Sequence, residues 1–328
     1  MKKIILPIII LLSLPLIFQT TPTEILKLKT FDYLIKTPEP SGNFTILNIT
    51  EEDIEREGGY PLPRERLADI QLEILGKGAL GVGWVISFPQ ADRLGGDSRF
   101  AASLGYAPSV LATFETPNNI YPKTTGTVIK GSNVSGISVS GVKENYKAYN
   151  TILQGMAIAP VEVDQLVRRI PLLLKTPDGW SASFGTQVLK TLTNTPTYII
   201  TTNQNGIQEI AVRGLPPVKT DSLGRKWISW VKTEETDLQE INVNGKFVFV
   251  GVTANGVMPQ IATPVGLLEP HKIQAALAES ILIQNSPYIP DWALAVELLT
   301  LIVTVTLVWL LLFYLGITWG LVSGVLTA

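Results

Sequence analysis

Ala79-Leu-Gly-Val-Gly-Trp-Val-Ile-Ser-Phe88 is a nearly continuous apolar run, and such runs are typical of a strand that is buried on both faces of a sheet. Before it, Arg64–Leu75 has apolar residues at helical spacing and predicts a helix. Phe44–Ile49 and Pro108–Phe114 predict strands on either side, and Ser98–Leu104 predicts a short helix. This β-α-β-α-β order indicates a parallel sheet with helices packed on its faces.

A long polar insertion follows at 115–150, in which Thr127–Val139 has the pattern of a hairpin. After it, predicted strands and helices occur again. Leu166–Leu174 predicts one strand, and Ala182–Leu192 and Leu268–Ile283 predict helices. The remaining predicted strands are Tyr198–Thr201, Ile207–Arg213, Lys226–Val231 and Lys246–Val252. We therefore expect an α/β domain over residues 25–290, with a mixed, mainly parallel sheet flanked by helices.

The first 20 residues have the pattern of a membrane signal. Lys2 and Lys3 precede an apolar run from Ile4 to Phe18, and positive charges of this kind stay in the cytoplasm. A cleavable signal has small residues before the cut, and residues 19–24 contain no such pattern. We favour an uncleaved signal anchor over residues 1–20, with a cleaved signal peptide as the alternative.

The other end of the chain is more apolar, with no charged residue from Leu298 to Ala328. Leu294–Leu315 is long enough to be a transmembrane helix, since a span needs about 20 apolar residues. Gly316 offers a break, and residues 317–328 have the pattern of a second span that is too short to cross the bilayer. We expect that the chain is truncated or a gene fragment. A genuine short end held by a partner is the alternative.

This topology predicts the compartment of the middle domain. If the N-terminus is cytoplasmic and the first span leads outward, residues 25–290 lie outside the cytoplasm and the next span returns inward. We expect a protein of the bacterial inner membrane whose folded domain is extracytoplasmic.

Composition excludes several classes of function. The 26 basic and 28 acidic residues give a net charge of −2 without a basic cluster, so no nucleic-acid partner is expected. The longest basic pair, Arg168-Arg169, is expected to be a solvated strand end. With no cysteine and one histidine, His271, the chain offers no thiol chemistry and no three-histidine zinc site. We expect no catalytic residues, no metal and no cofactor.

One glycine motif matches a nucleotide-binding signature, but the elements predicted on either side of it do not fit that function. Gly76-Lys-Gly-Ala-Leu-Gly81 matches G-x-G-x-x-G, but a dinucleotide fingerprint must leave a strand and open a helix. Here the glycines close a predicted helix and open a predicted strand, so we interpret them as a helix cap and a tight turn.

Several blocks in the same order resemble the second type of CHASE domain, the cyclase- and histidine-kinase-associated extracellular sensory domain. They are Tyr60–Arg64, Gly81–Phe88, Asp92–Asp97, Asp164–Leu172, Val250–Ala254, Thr263-Pro264, Glu269–His271 and Pro290–Trp292. The resemblance covers roughly residues 25–292. It implies an extracytoplasmic sensor that is followed by membrane helices and a cytoplasmic cyclase or kinase, and it carries over no established binding residue.

Three positions depart from the family pattern. The family commonly has acidic residues where this chain has Thr50 and Val85, and near Gln90, so three carboxylates are missing after the first two strands. Ligands of open α/β sheets bind at that edge. The departures put in doubt any cationic or metal ligand inferred from relatives, although Asp92 and Asp97 remain.

Our leading hypothesis is a sensor of an unknown small molecule or envelope condition that binds at the strand-end crevice. A shift of the domain would pass through the helix Leu268–Ile283 to the span Leu294–Leu315. The candidate ligand-binding residues are Arg64, Asp92, Asp97, Arg168, Thr253 and His271. For His271 a purely structural role is the favoured expectation, with ligand contact or pH sensing as the alternative. A homodimer is expected by analogy with signalling enzymes.

Two alternatives stay open at this point. One is a membrane-tethered protein that binds an envelope protein and transmits no signal. The other is a periplasmic hydrolase, which is disfavoured because its chemistry would have to pass through His271.

Overall fold

The structure is a computed structural model that describes residues 7, 11, 13, 18, 20–132, 135–290 and 292–327, with side chains up to Tyr314. Most of the predicted signal anchor 1–20 therefore lies outside the described residues. The chain forms two compact units, one made of residues 36–288 and the other of the two chain ends.

Seven α-helices are described, and we number them α1 to α7 along the chain. They are Thr21–Leu34, Glu51–Arg56, Arg64–Gly76, Asp97–Leu104, Phe184–Leu192, Pro270–Ile283 and Ala293–Thr327.

The described strands are numbered β1 to β17 in the same way. They are Phe44–Ile49, Gly81–Trp84, Ser109–Glu115, Gly126–Lys130, Val142–Lys143, Leu153–Met156, Arg169–Pro171, Leu173–Thr176, Gly179–Ala182, Thr197–Asn203, Gly206–Val212, Val218–Lys219, Arg225–Trp227, Glu234–Asp237, Phe247–Val252, Ile261–Thr263 and Gly266–Leu268.

The main sheet has seven strands in the order β14-β1-β15-β2-β3-β5, with β6 also paired to β3. All of its pairings are parallel except that of β5 with β3. In the centre, β1 pairs with β15 from Phe44↔Phe247 to Ile49↔Val252. The predicted α/β class with a mixed, mainly parallel sheet is therefore confirmed.

Helices cover both faces of this sheet, and one apolar cluster lies under each pair of helices. In β1, Leu47 and Ile49 belong to the cluster under α3 and α4, whereas Phe44 and Ile46 belong to the cluster under α5 and α6. Strands buried on both faces explain why the sequence shows apolar runs instead of alternation.

A second sheet has the order β12-β11-β10-β4. Its β10 and β11 form an antiparallel pair, and β4 joins β10 in parallel. The predicted hairpin Thr127–Val139 is wrong, because β4 pairs with a strand far along the chain and Ser138 bridges to Lys175 instead. Non-local pairing of this kind leaves no pattern in a single segment.

Leu166–Leu174 was predicted as one strand, but it contains two. β7 pairs with β13 and β8 pairs with β9, and Leu172 between them donates its backbone N–H to Gly224 O. Pro171 ends β7 and has no N–H to donate, which fits a strand that stops there.

The unit made of the chain ends contains α1 and α7. Within it, Lys27 Nζ forms an ion pair with Glu297 Oε1 at 2.6 Å. The segment Ala293–Tyr314 is, by length and composition, the one described helix that could span a membrane. The helix runs through Gly316 to Thr327, where the sequence predicted a break. The break at Gly316 is therefore not found in the described helix. The division into two spans, 294–315 and 317–328, stays a prediction.

Candidate functional site

A cleft of about 800 Å³ opens beside the carboxyl end of β2. Two segments line it, the turn Gly58–Arg64 that leads into α3 and the loop Ile86–Leu94 that follows β2. We call it the Arg64 cleft. The carboxyl ends of parallel strands are where open α/β sheets bind ligands, and the volume is within the range of small-molecule sites.

The start of α4 is held close to the start of α3, where Arg64 lines the cleft. Gly96 precedes α4, and a Cβ there would overlap the backbone N of Glu65. Glycine is therefore required for the close approach. The approach places Asp97, the first residue of α4, beside Arg64, the first residue of α3.

Arg64 is poorly satisfied for a nearly buried arginine. Its Nε lies 3.8 Å from Asp97 Oδ1, and the two side chains are 13% and 12% exposed. That Nε is buried and forms no hydrogen bond, whereas a charge-assisted bond of this type measures about 2.7–2.9 Å. The guanidinium also lies over the ring of Phe88, 4.5 Å from its centre. Arg64 thus keeps a donor that a ligand could use.

The two aspartates are fixed by hydrogen bonds. Asp97 Oδ2 accepts from the backbone N–H of Asp92 at 2.7 Å, and Asp97 Oδ1 accepts from the hydroxyl of Tyr149. Asp92 accepts from the N–H groups of Arg64 at 2.9 Å and Leu94 at 3.1 Å. Burial would raise the pKa of Asp92, but the backbone donors outweigh it and the pKa is lowered. The loop is therefore held in part by the carboxylate of Asp92, which stays ionised.

Tyr149 and Ser87 complete the site, and the sequence did not single out either of them. Burial, followed by the hydrogen bond to Asp97, raises the pKa of Tyr149. Ser87 Oγ is buried without a hydrogen-bond partner. Ser87 and Arg64 both line the Arg64 cleft, and buried polar atoms such as Ser87 Oγ and Arg64 Nε are rarely left without a hydrogen bond.

Thr253 lies at the same edge of the sheet but not on the cleft wall. It follows β15, and its backbone N–H and Oγ1 both donate to Ile49 O, at 3.0 and 3.4 Å. Its hydroxyl is therefore already used to extend the pairing of β1 with β15.

Arg168 does not line the Arg64 cleft, and it is not a solvated strand end. Its side chain is 0% exposed and forms a bidentate pair with Asp164 at 2.7 and 2.8 Å. The neighbouring Arg169 pairs with Glu162 and Asp221, and Arg225 pairs with Asp221. We call these six residues the Arg168 cluster. Arg168 can be buried because its charge is paired with Asp164. An unpaired charge would oppose burial.

His271 is buried behind β1 and β15, on the face covered by α6. Its Nε2 donates to Asn48 Oδ1 at 2.9 Å and its Nδ1 has no partner. The ring packs on Gly251, where any Cβ would overlap it. Burial, assisted by the charge of Lys272, lowers the pKa of His271 to about 3. Among the candidate residues, the structure thus brings together Arg64, Asp92 and Asp97 and places Arg168 and His271 elsewhere.

The three departures from the family pattern lie in different surroundings. Thr50 caps α2, where its Oγ1 accepts from the N–H of Asp53. Val85 is fully buried in the cluster under α5 and α6, away from the cleft. Gln90 lines the Arg64 cleft. Only one of the three missing carboxylates would therefore border it.

A metal site is not formed by the part of the chain that the structure describes, where no three His, Asp or Glu residues converge. In comparisons with known proteins, the family model described as CHASE2 domain matches residues 6–315. No curated protein matches the chain, and neither does any solved structure.

Proposed function

The chain belongs to the CHASE2 domain family, an extracellular, non-catalytic sensory domain of bacterial signalling proteins, and from this premise we propose that it senses an extracytoplasmic ligand at the Arg64 cleft. The domain at 36–288 is the sensor in this proposal, and the helix Ala293–Thr327 anchors it in the inner membrane. A cytoplasmic cyclase or kinase reads the signal, and the receptor acts as a homodimer.

The observation that carries the proposal is the pair of unsatisfied buried atoms, Arg64 Nε and Ser87 Oγ, in one cleft. A ligand that offers hydrogen-bond acceptors would satisfy both. The net gain is about 1 kcal/mol for a typical hydrogen bond and more for one to a charged group. The fixed carboxylates of Asp92 and Asp97 would select against a second anionic group on the same ligand.

The transmission step uses the strands that end at the cleft edge. α6 packs on β1 and β15, where His271 contacts Asn48 and Gly251, and α6 is followed in the chain by α7. A ligand shifts the output only if it binds two arrangements of these elements with different affinity. We propose that the two arrangements differ in how α6 packs on β1 and β15.

Ligand binding at this cleft is tested with Arg64→Gln in the full chain held in lipid nanodiscs. The protein is exposed to small molecules extracted from the cell envelope, washed, and analysed by mass spectrometry. Arg99→Gln is the matched control, because Arg99 pairs with Glu65 and Asp69 at the surface and does not line the cleft. A compound that the wild type and the control retain and Arg64→Gln loses supports the proposal. Equal retention by all three proteins refutes it.

The compartment is tested by labelling, which the absence of cysteine makes unambiguous. Lys232→Cys places a thiol on the exposed surface of the domain, and Lys2→Cys places one at the N-terminus. We expect a membrane-impermeant maleimide to label the first in intact spheroplasts and the second only after lysis. The reverse pattern would refute an extracytoplasmic sensor.

A further inference from the structure

A second cavity of about 340 Å³ lies among residues that neither the family resemblance nor the Arg64 cleft uses. The loop before β4, the ends of β3, β6 and β9, and the α5 side chains Gln187 and Lys190 enclose it. We call it the Lys190 cavity. Its volume is at the lower end of the range for small-molecule sites.

The floor of the Lys190 cavity is polar and buried. Thr113, Asn145, Ser181 and Gln187 are each at most 6% exposed. Asn145 is fully used, since its Oδ1 accepts from Phe88 N and its Nδ2 donates to Ala112 O.

Two other floor residues bring polar groups to the cavity. Ser181 contributes a hydroxyl, and Gln187 contributes an amide whose Nε2 has a long, 3.5 Å contact with Thr191 Oγ1. Buried hydroxyl and amide groups need partners. In a cavity of this size the partner is a bound molecule or water.

Lys190 supplies an ammonium without a counter-charge. Its Nζ donates to Thr125 Oγ1 and lies 5.2 Å from the centre of the Tyr198 ring. Among the residues that the structure describes, no carboxylate lies within 4.0 Å of it. Burial alone lowers the pKa of Lys190. A partly buried charge without an ionic partner is costly, and a site that keeps one indicates a ligand of opposite charge.

We propose that the Lys190 cavity binds a small organic carboxylate, which pairs with Lys190 and hydrogen-bonds to Ser181 and Gln187. Lys123 at the rim adds a second positive charge near the entrance. Glu144 is the one acidic residue among the described lining residues, and it would pair with an amine on the same ligand. Amino acids and hydroxylated acids both carry such a carboxylate. Glu144 favours an amino acid, because only that class also offers an amine for Glu144 to bind.

This site stands apart from the sensor proposal, because no residue lines both the Lys190 cavity and the Arg64 cleft. Loss of ligand binding at one would leave the other intact. A variant that changes Lys190 therefore tests the cavity alone.

The test measures thermal unfolding of the full chain in nanodiscs by intrinsic tryptophan fluorescence. The probes are L-asparagine, gluconate and inorganic phosphate at constant ionic strength. Lys190→Met keeps the apolar stem and removes the charge. Lys143→Met is the matched control, since Lys143 is an exposed lysine on β5 that does not line the cavity.

We expect L-asparagine or gluconate to raise Tm by about 3 °C or more well above Kd in the wild type and the control, and not in Lys190→Met. Without ligand, Lys190→Met should unfold at the same or a higher temperature, because a partly buried charge without an ionic partner is gone. A shift with asparagine alone identifies an amino-acid site, and a shift with gluconate alone identifies a hydroxy-acid site.

Three results would overturn the proposal. The first is no Lys190-dependent shift with either carboxylate. The second is a shift with phosphate alone, since the site would then be one for phosphate. The third is a ligand-free Lys190→Met that unfolds several degrees earlier yet still responds to the carboxylates, since Lys190 would then be a structural residue.

Discussion

Two of the groups of arginine and acidic side chains in the domain, the Arg168 cluster and the Arg64 cleft, differ in how fully their hydrogen bonds are satisfied. In the Arg168 cluster, Arg168 is 0% exposed and makes two short bonds to Asp164. In the Arg64 cleft, the nearest carboxylate to Arg64 Nε is 3.8 Å away and that atom has no hydrogen bond. Arginine and aspartate side chains thus satisfy each other's hydrogen bonds fully in the Arg168 cluster, which we call a closed network. In the Arg64 cleft the same types of side chain leave one donor unused.

The difference separates a structural role from a binding role. A buried ion pair whose partners are complete has nothing left to offer a ligand, and removing one partner leaves an uncompensated charge. An arginine at a cleft that keeps a free donor contributes less to folding and more to recognition. Binding sites are often less stable than a fully packed core would be, because their unsatisfied groups await the ligand.

The strongest test of this comparison is Arg168→Leu. We expect the free energy of unfolding to fall by about 3–5 kcal/mol, because Asp164 would keep its charge in a buried position. Chemical denaturation measures the change. The double variant Arg168→Leu with Asp164→Leu should recover part of the loss. A loss below about 1 kcal/mol would mean that the pair is not the closed network described above.

His271 extends the comparison to a buried group that carries no charge. Its pKa is lowered from 6.5 to about 3 in the fold, so the unfolded chain binds a proton at a pH where the folded chain does not. Stability should therefore fall as the pH decreases from about 6.5 towards 3, by about 1.4 kcal/mol per pH unit at most.

His271→Gln is the variant for this experiment, since an amide can still donate to Asn48. We expect a shallower loss of stability over the same pH range, measured by denaturation at several pH values. An unchanged slope would show that carboxylates, and not His271, cause the acid sensitivity.

The smallest expected effect belongs to Arg64→Met. Met keeps apolar contact with Phe88 and removes only a long ion pair, so the free energy of unfolding should change by less than about 1 kcal/mol. The same denaturation experiment compares it with Arg168→Leu. A loss as large as that of Arg168→Leu would remove the distinction between the two arginines and assign Arg64 a structural role.

Much of the main sheet was predictable from the sequence. β1 was predicted with its observed bounds, and α3, α5 and α6 were predicted to within two residues. Each is a segment whose burial pattern is repeated along its own length, so the apolar residues alone define it. The hairpin at 127–139 and the single strand at 166–174 failed because their pairing partners are distant in the chain.

The candidate site was predictable only in part. Arg64 and Asp97 lie where predicted helices begin and Asp92 lies after a predicted strand, and topology brings such positions together at one edge of the sheet. Tyr149 lies in the polar insertion, and nothing in its sequence surroundings indicates that its hydroxyl reaches Asp97. Ser87 lies inside an apolar run, where sequence reasoning assigns it to the core.

The sequence by itself determined the α/β class, the apolar C-terminal helix, the absence of thiol chemistry and the family. These follow from periodicity, composition and the order of short blocks, all of which are local properties of the chain. Only the tertiary structure decided that Arg168 is fully paired while Arg64 keeps a free donor, that His271 is buried on the sheet face covered by α6, and that Lys190 faces a cavity with no carboxylate of the described residues paired to it. The physical reason is that a charged side chain is defined by its partners, and those partners come from segments far apart in the sequence.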